Sequence, residues 1–347
     1  MKKKNLFIGL ALSLAVTGCG KEALENTNTK VKDEVKQEEN EESKGAKTEK
    51  KDESKVIYAS FYPIYNLTKQ IAGDKFDVKA FNSLTTESHD FEPSAKEIAE
   101  LSKSQLIFMN GAGMEDWKDD VEETVDISMI DTSESLDLIK ADHDHEDSED
   151  HDHDHEDAED HDHEEGEHHH HHHGEFDPHT WLSPVNAKAQ AKVIADKLSE
   201  IDPANKDYYQ KNYEKIAKEF DEIINEYKEK FAKVENNKFI VPHEAFGYVA
   251  RDFNLEQIPL ASLTSTADPD AKVMKEVTDL AKKDAIKTVF FEKGGSDKAA
   301  KTIAEEIGAD TLPLSTMEFA SEEEIEKEVT IQEIIKENLE NIYKSLA

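Results

Sequence analysis

Short apolar runs alternate with amphipathic stretches from Val56 onward. "KVIYASF", "FDVKAFN", "QLIFMNG" and "ISMID" have the length and β-favouring content of buried strands. Between them, "YPIYNLTKQIAG", "PSAKEIAELSKS" and "MEDWKDDVEETV" carry apolar residues three or four apart, which predicts helices. Gly73 is placed to stop the first helix, and Pro93 to open the second. The rhythm resumes near residue 236, with strands in "KFIVP", "LEQIPLASL", "KTVFFEKG" and "ADTLPLS". Helices are expected in "HEAFGYVARDFN", "PDAKVMKEVTDLAKKD", "SDKAAKTIAEEIG" and "IQEIIKENLENIYKSLA". Such alternation predicts an α/β fold of two β/α lobes with a cleft between them. No segment repeats at a fixed period.

The two halves are separated by "SPVNAKAQAKVIADKLSEID" and "PANKDYYQKNYEKIAKEFDEIINEYKEKF". In the latter, Tyr209, Tyr213, Ile216, Phe220, Ile223, Tyr227 and Phe231 step by three or four and line one face of a long helix. About 30 residues rising about 1.5 Å each give roughly 45 Å, enough to cross both lobes and join them rigidly. The stripe is read as packing surface. The expected organisation is a signal peptide over 1–18, a disordered tether over 19–54, and an N-terminal lobe over 55–183. That lobe contains a His/Asp-rich disordered loop at 142–175. Linking helices follow over 184–235, then a C-terminal lobe over 236–347.

The ends and the loop stand outside this pattern. "MKKKNLFIGLALSLAV" has the basic and then apolar character of a secretory signal, too short for a permanent membrane helix. It runs into "AVTGC", which resembles a bacterial lipobox. Cys19 is the only cysteine, so no internal disulfide forms, and the thiol is read as the lipid attachment point. Residues 20–54 are nearly all polar and cannot offset their ordering entropy by burial. The expected location is the extracytoplasmic face of a cell membrane, held by lipid, in a Gram-positive bacterium.

Charge narrows the partners. The net charge is −37, and residues 142–177 contribute eighteen acidic groups without one Lys or Arg. Nucleic acid, which requires basic patches, is excluded as a partner, and cations are favoured. Thirteen of the sixteen histidines lie in 143–173, six of them consecutive; this stretch can bind metal weakly in many geometries. The remaining three are His89 in "ESHDFEPS", His179 in "FDPHTWLSP" and His243 in "VPHEAFGY". Each follows a strand-like run or leads into a helix, where ligands bind in open α/β sheets. Three imidazoles with a carboxylate or water suit zinc.

In this order the three motifs resemble those of the metal-binding, solute-binding lipoproteins of bacterial ABC importers, the cluster A-I group. Within that group the similarity is to the zinc-specific ZnuA/AdcA-like branch, from about residue 55 to the C-terminus. The resemblance implies that His89, His179 and His243 bind the metal. Manganese-specific relatives carry a carboxylate where His243 stands, so its imidazole favours Zn2+ as the transported ligand. The family pattern places a further carboxylate after the last strand, which points to Glu318 in "LPLSTMEF"; Glu292 in "FFEKGG" and water are the alternatives. The resemblance also implies an ABC permease with its cytoplasmic ATPase as partner, and a monomer. Three other readings remain open: a manganese or other divalent-metal binder of the same family, a zinc enzyme, and an extracellular zinc store or adhesin. Against the enzyme, the chain has neither HExxH nor GxSxG.

Overall fold

The computed structural model describes residues 55–141, 174–263 and 269–347. The expected signal peptide, the tether, Cys19 and nearly all of the His/Asp-rich loop lie outside the described residues.

Each lobe is built on a four-stranded parallel sheet. In the first, β1 (Val56–Ala59), β2 (Asp77–Ala80), β3 (Leu106–Met109) and β4 (Ser128–Asp131) pair in the order β2-β1-β3-β4. In the second, β5 (Lys238–Val241), β6 (Glu256–Pro259), β7 (Thr288–Glu292) and β8 (Asp310–Leu314) pair in the order β6-β5-β7-β8. The two lobes therefore share one topology although no sequence repeat announces it. In each, the chain reverses direction between the two central strands, and the carboxyl ends at that reversal form a natural ligand crevice.

Helices cover both faces of the sheets. The first lobe has α1 (Tyr62–Ala72), α2 (Ala95–Leu101) and α3 (Lys118–Thr124). A helical hairpin follows, α4 (Pro184–Ile201) and α5 (Lys206–Phe231). The second lobe adds α6 (Gly247–Phe253), α7 (Ala271–Lys283), α8 (Lys298–Ile307), α9 (Glu322–Glu326) and α10 (Ile331–Leu346). Local chemistry sets the starts. Ser94, Ser321 and Thr330 each close a capping box with the glutamate three residues on. Pro93 thus stands one residue before the cap rather than opening α2, because the Ser94 side chain can satisfy the Glu97 N–H and a proline cannot.

The long helix holds 26 residues, about 39 Å, shorter than the spacing predicted. A 3-10 turn over Pro203–Asn205 takes up its expected first residues. Near its start, Tyr209 packs on Phe76, and Asn212 donates to the Ile71 carbonyl at 2.9 Å. At its end, Phe231 meets Phe253 and Tyr343. One apolar core, formed largely by α1, α4, α5 and α10 with the inner sheet faces, runs through both lobes. Smaller clusters lie under α7 and α8, and under α2 and α3. A link buried along its length against both lobes is stiff, since bending it would expose core surface.

The His/Asp-rich loop closes earlier than expected. Lys140 bridges Phe176 in antiparallel fashion, Ala141 N–H donates to Glu175 O, and Asp177 N–H to Ile139 O. Residues 174 and 175, expected inside the loop, thus belong to the lobe, because their backbone groups find partners at the exit of β4. No helix among the described residues is long and apolar enough to cross a membrane.

Candidate metal centre

Four loops deliver one side chain each to the cleft. His89 lies between β2 and α2, where Ser88 and His89 N–H groups both donate to Glu87 Oε1, at 2.8 and 3.2 Å. Ser88 Oγ then donates to the Glu318 carbonyl at 2.7 Å, tying this loop to the opposite lobe. His179 precedes a 3-10 turn over Thr180–Leu182. His243 follows β5, and the helix anticipated from that residue begins only at Gly247, which leaves His243 in a loop. Glu318 follows β8 through a turn in which Met317 adopts a left-handed φ of 60°.

That turn is clamped from three sides. Asn338 accepts from Ser315 N–H and donates to Ser315 O. Trp181 Nε1 donates to Thr316 O at 2.6 Å, and Glu292 Oε1 accepts from Thr316 N–H and Oγ1 at 3.1 and 2.9 Å. A non-glycine residue at positive φ is costly and persists only where its surroundings hold it.

The result is a convergence on one oxygen. Glu318 Oε1 stands 3.6 Å from His89 Nε2, 3.4 Å from His179 Nε2 and 3.3 Å from His243 Nε2. His89 Nε2 and His179 Nε2 are 3.3 Å apart. Zinc bonds of about 2.0–2.1 Å in a tetrahedron require ligand atoms about 3.3–3.4 Å from one another. All four candidate ligand atoms lie within 4.8 Å of one another. His179, Glu318 and His243 are buried, with 0%, 2% and 6% exposure, and Glu318 Oε1 and His243 Nε2 have no hydrogen-bond partner. Buried polar atoms without partners are rare, so these call for an ion.

A carboxylate behind the centre orients it. Asp177 Oδ1 accepts from His179 Nδ1 at 2.8 Å and from His179 N–H at 2.9 Å. With the proton on Nδ1, Nε2 presents its lone pair to the cleft. Tyr248 holds Asp177 by donating to its carbonyl at 2.7 Å. Gly247 leaves room for its carboxylate, because a Cβ there would lie 2.7 Å from Asp177 Oδ2.

The charges agree with a cation site. Burial disfavours a charged His179, yet Asp177 and Glu318 on either side outweigh it and hold its pKa up at about 9. Burial prevails at His243, whose pKa is lowered despite the pull of Glu318. Glu318 is buried as well, but the three imidazoles keep it well below the usual carboxylate range. Glu292 is not among the four: its Thr316 bonds hold it beside the centre, and burial and the Glu318 charge push it up to about 8.

Of the residues singled out in the sequence, His89, His179, His243 and Glu318 come together. Asp177 and Glu87 were missed as supporting groups. Asp177 sits inside the "FDPHTW" motif, and the i, i+2 spacing to His179 was the available signal.

Two parallel-sheet lobes meeting over a buried centre of three imidazoles and one carboxylate define a two-lobed metal-binding protein. A family model described as "Zinc-uptake complex component A periplasmic" matches residues 57–345, and the chain belongs to that family. The high-affinity zinc uptake system protein ZnuA of Bacillus subtilis is 35% identical over 349 residues, which cover 99% of this chain and 98% of that protein. The zinc-binding lipoprotein AdcA of Streptococcus pneumoniae is 32% identical over 82% of this chain, which spans 54% of that longer protein. Among solved structures, the Zn(II)-bound ZnuA-like domain of the pneumococcal AdcA superposes with a TM-score of 0.68. It is 27% identical and covers 84% of this chain and 99% of that one. The laminin-binding protein Lmb of Streptococcus agalactiae, described as an adhesin with metal-transporting activity, gives 0.70 at 29% identity. It covers 85% of this chain and 100% of that one.

Proposed function

We propose that this protein is the extracytoplasmic capture component of an ABC-type zinc importer. It binds Zn2+ through His89, His179, His243 and Glu318 and hands it to a membrane permease driven by a cytoplasmic ATPase. The observation that carries the reading is the set of 3.3–3.6 Å separations among three imidazole nitrogens and one carboxylate oxygen. That spacing fits a small tetrahedral ion better than Mn2+, which prefers more oxygen ligands. With four protein ligands the centre is of the closed type, without the open position that lets zinc activate water, so it serves binding rather than hydrolysis.

On this reading Cys19 carries the lipid that keeps the protein at the outer face of the cell membrane of a Gram-positive bacterium. The segment from 20 to 54 is its tether, and the protein works as a monomer. The histidine-rich stretch gathers zinc near the cleft and is not the tight site. The test is competition for Zn2+ against a chromophoric chelator. One tight ion per chain is expected, with Mn2+ unable to displace it at equal concentration. Several equivalent weak sites and no tight one would refute it.

A further inference from the structure

A cavity of about 200 Å³ opens beside the metal centre on the C-terminal-lobe side, with room for several waters. It lies at the carboxyl ends of β5 and β7, where the strand order of the second sheet reverses, the position at which open α/β sheets receive ligands. Its walls are apolar at Pro242, Leu260 and Phe290, and its polar side chains include Glu87, Glu292, Glu318 and His243. Neither Lys nor Arg lines it.

Its carboxylates are not all satisfied. Glu292 Oε1 accepts two hydrogen bonds from Thr316, whereas Oε2 is buried with no hydrogen-bond partner among the described residues. Glu87 binds the Ser88 and His89 N–H groups through Oε1 and also touches the Glu318 side chain. Glu318 belongs to both spaces: Oε1 faces the imidazoles, and the side chain also lines the cavity. Three carboxyl groups with no basic side chain around the cavity are expensive to bury unless a cation joins them.

We propose that Glu87 and Glu292 form a second, weaker subsite through which a partly hydrated Zn2+ ion passes on its way into and out of the four-ligand centre. This inference rests on the zinc reading of that centre. The cavity carboxylates do not converge as the tight ligands do, so an ion there keeps part of its water shell. It exchanges those waters for imidazole nitrogens while Glu318 holds it from either side. A negative cavity beside the site raises the local cation concentration and the capture rate without adding to the final ligand set.

Glu292→Gln tests this, since Gln retains the size and the Oε1 acceptor for Thr316 and loses only the charge. Zinc uptake and chelator-driven zinc release are followed by stopped flow on the full chain, with the equilibrium affinity measured in parallel. Both rates are expected to fall roughly tenfold, within the range of such electrostatic effects, while the equilibrium affinity changes by less than about threefold. Unchanged rates overturn the proposal. So does a faster release matched by a weaker affinity, because Glu292 would then act only by positioning the Thr316–Glu318 turn. A wrong zinc reading would show differently, as a lack of tight binding in the unaltered chain.

Discussion

His243 Nε2 and Glu318 Oε1 stand 3.3 Å apart, both buried and neither with a hydrogen-bond partner. One comes from the loop after β5 and the other from the loop after β8, so the second lobe alone supplies half of a tetrahedron. The first lobe supplies the other half through His89 and His179. Neither lobe holds a complete site, which makes metal binding a property of the closed cleft. Replacing His243 by Ala should therefore weaken Zn2+ binding by more than about a hundredfold, since losing even an outer partner of a ligand costs 10- to 100-fold. Chelator competition on the purified variant measures this, and an unchanged affinity would remove His243 from the site.

Asp177→Asn should give a smaller loss, about 10- to 100-fold. Asp177 touches no ion in this arrangement; it fixes the His179 ring and raises its basicity through the 2.8 Å bond to Nδ1. Asparagine can turn its NH2 toward Nδ1 and stabilise the wrong tautomer. Asp177→Glu, which keeps the charge but displaces it, should recover part of the affinity. Equal affinity in wild type and Asp177→Asn would show that the bond has no such role.

Much of this was written locally in the sequence. Strand-sized apolar runs and three-to-four spacing gave the α/β alternation, because burial on a sheet or along a helix face selects residues at short range. Strand order was not legible, since which strands become neighbours depends on crossovers spanning many residues. The distinction between Glu318 and Glu292 was only partly legible for the same reason. Both follow strands of the second sheet, and the Thr316 hydrogen bonds that capture one while Met317 turns the other inward exist only in three dimensions. The late start of α6 at Gly247 likewise depends on contacts with Asp177 from the other lobe.

Glu115 should make stability depend on pH. It is buried, accepting from Asn110 N–H at 2.7 Å and Gly111 N–H at 2.9 Å. Burial raises its pKa to about 7 against the opposing pull of Ser60 and these N–H groups. Because the folded pKa lies above the ordinary value of 4.5, the folded state holds the proton more tightly. The associated stability is complete below about pH 4.5 and is lost as pH rises through about 7, on the order of 3 kcal/mol in all. Glu115→Gln lacks this dependence. Urea unfolding of the metal-free proteins at pH 5 and pH 8 should show wild type losing its advantage over the variant at the higher pH. Parallel pH profiles would contradict the assignment.

Cys19→Ser should move the protein from the membrane fraction to the medium. The remaining sequence offers no second anchor, and no described helix can cross a bilayer. Stable attachment needs more than one acyl chain, which a lipid-modified N-terminal cysteine provides. Retention of the serine variant at the membrane after fractionation would show that another segment holds it.

Deleting residues 142–173 separates the histidine-rich stretch from the centre. The four converging side chains all lie outside the deletion, and the chain on either side of it is already joined by the Ala141 to Glu175 hydrogen bond and the Lys140–Phe176 bridge. The ends can therefore be connected without disturbing Asp177 or His179. Tight Zn2+ affinity should stay within roughly tenfold, because a stretch without fixed geometry contributes little to a preorganised site. The number of weakly bound ions should fall, and capture at scarce zinc should slow, since thirteen histidines and most of the local negative charge are gone. Lowering the pH through about 6.5 should empty the weak sites of the intact protein first, as ordinary imidazoles protonate and cease to ligate. Calorimetric titration of the intact and deleted proteins at two pH values resolves both classes of binding. Loss of the tight event on deletion would transfer the site from the cleft to the stretch, and the convergence of His89, His179 and His243 on Glu318 would then need another explanation.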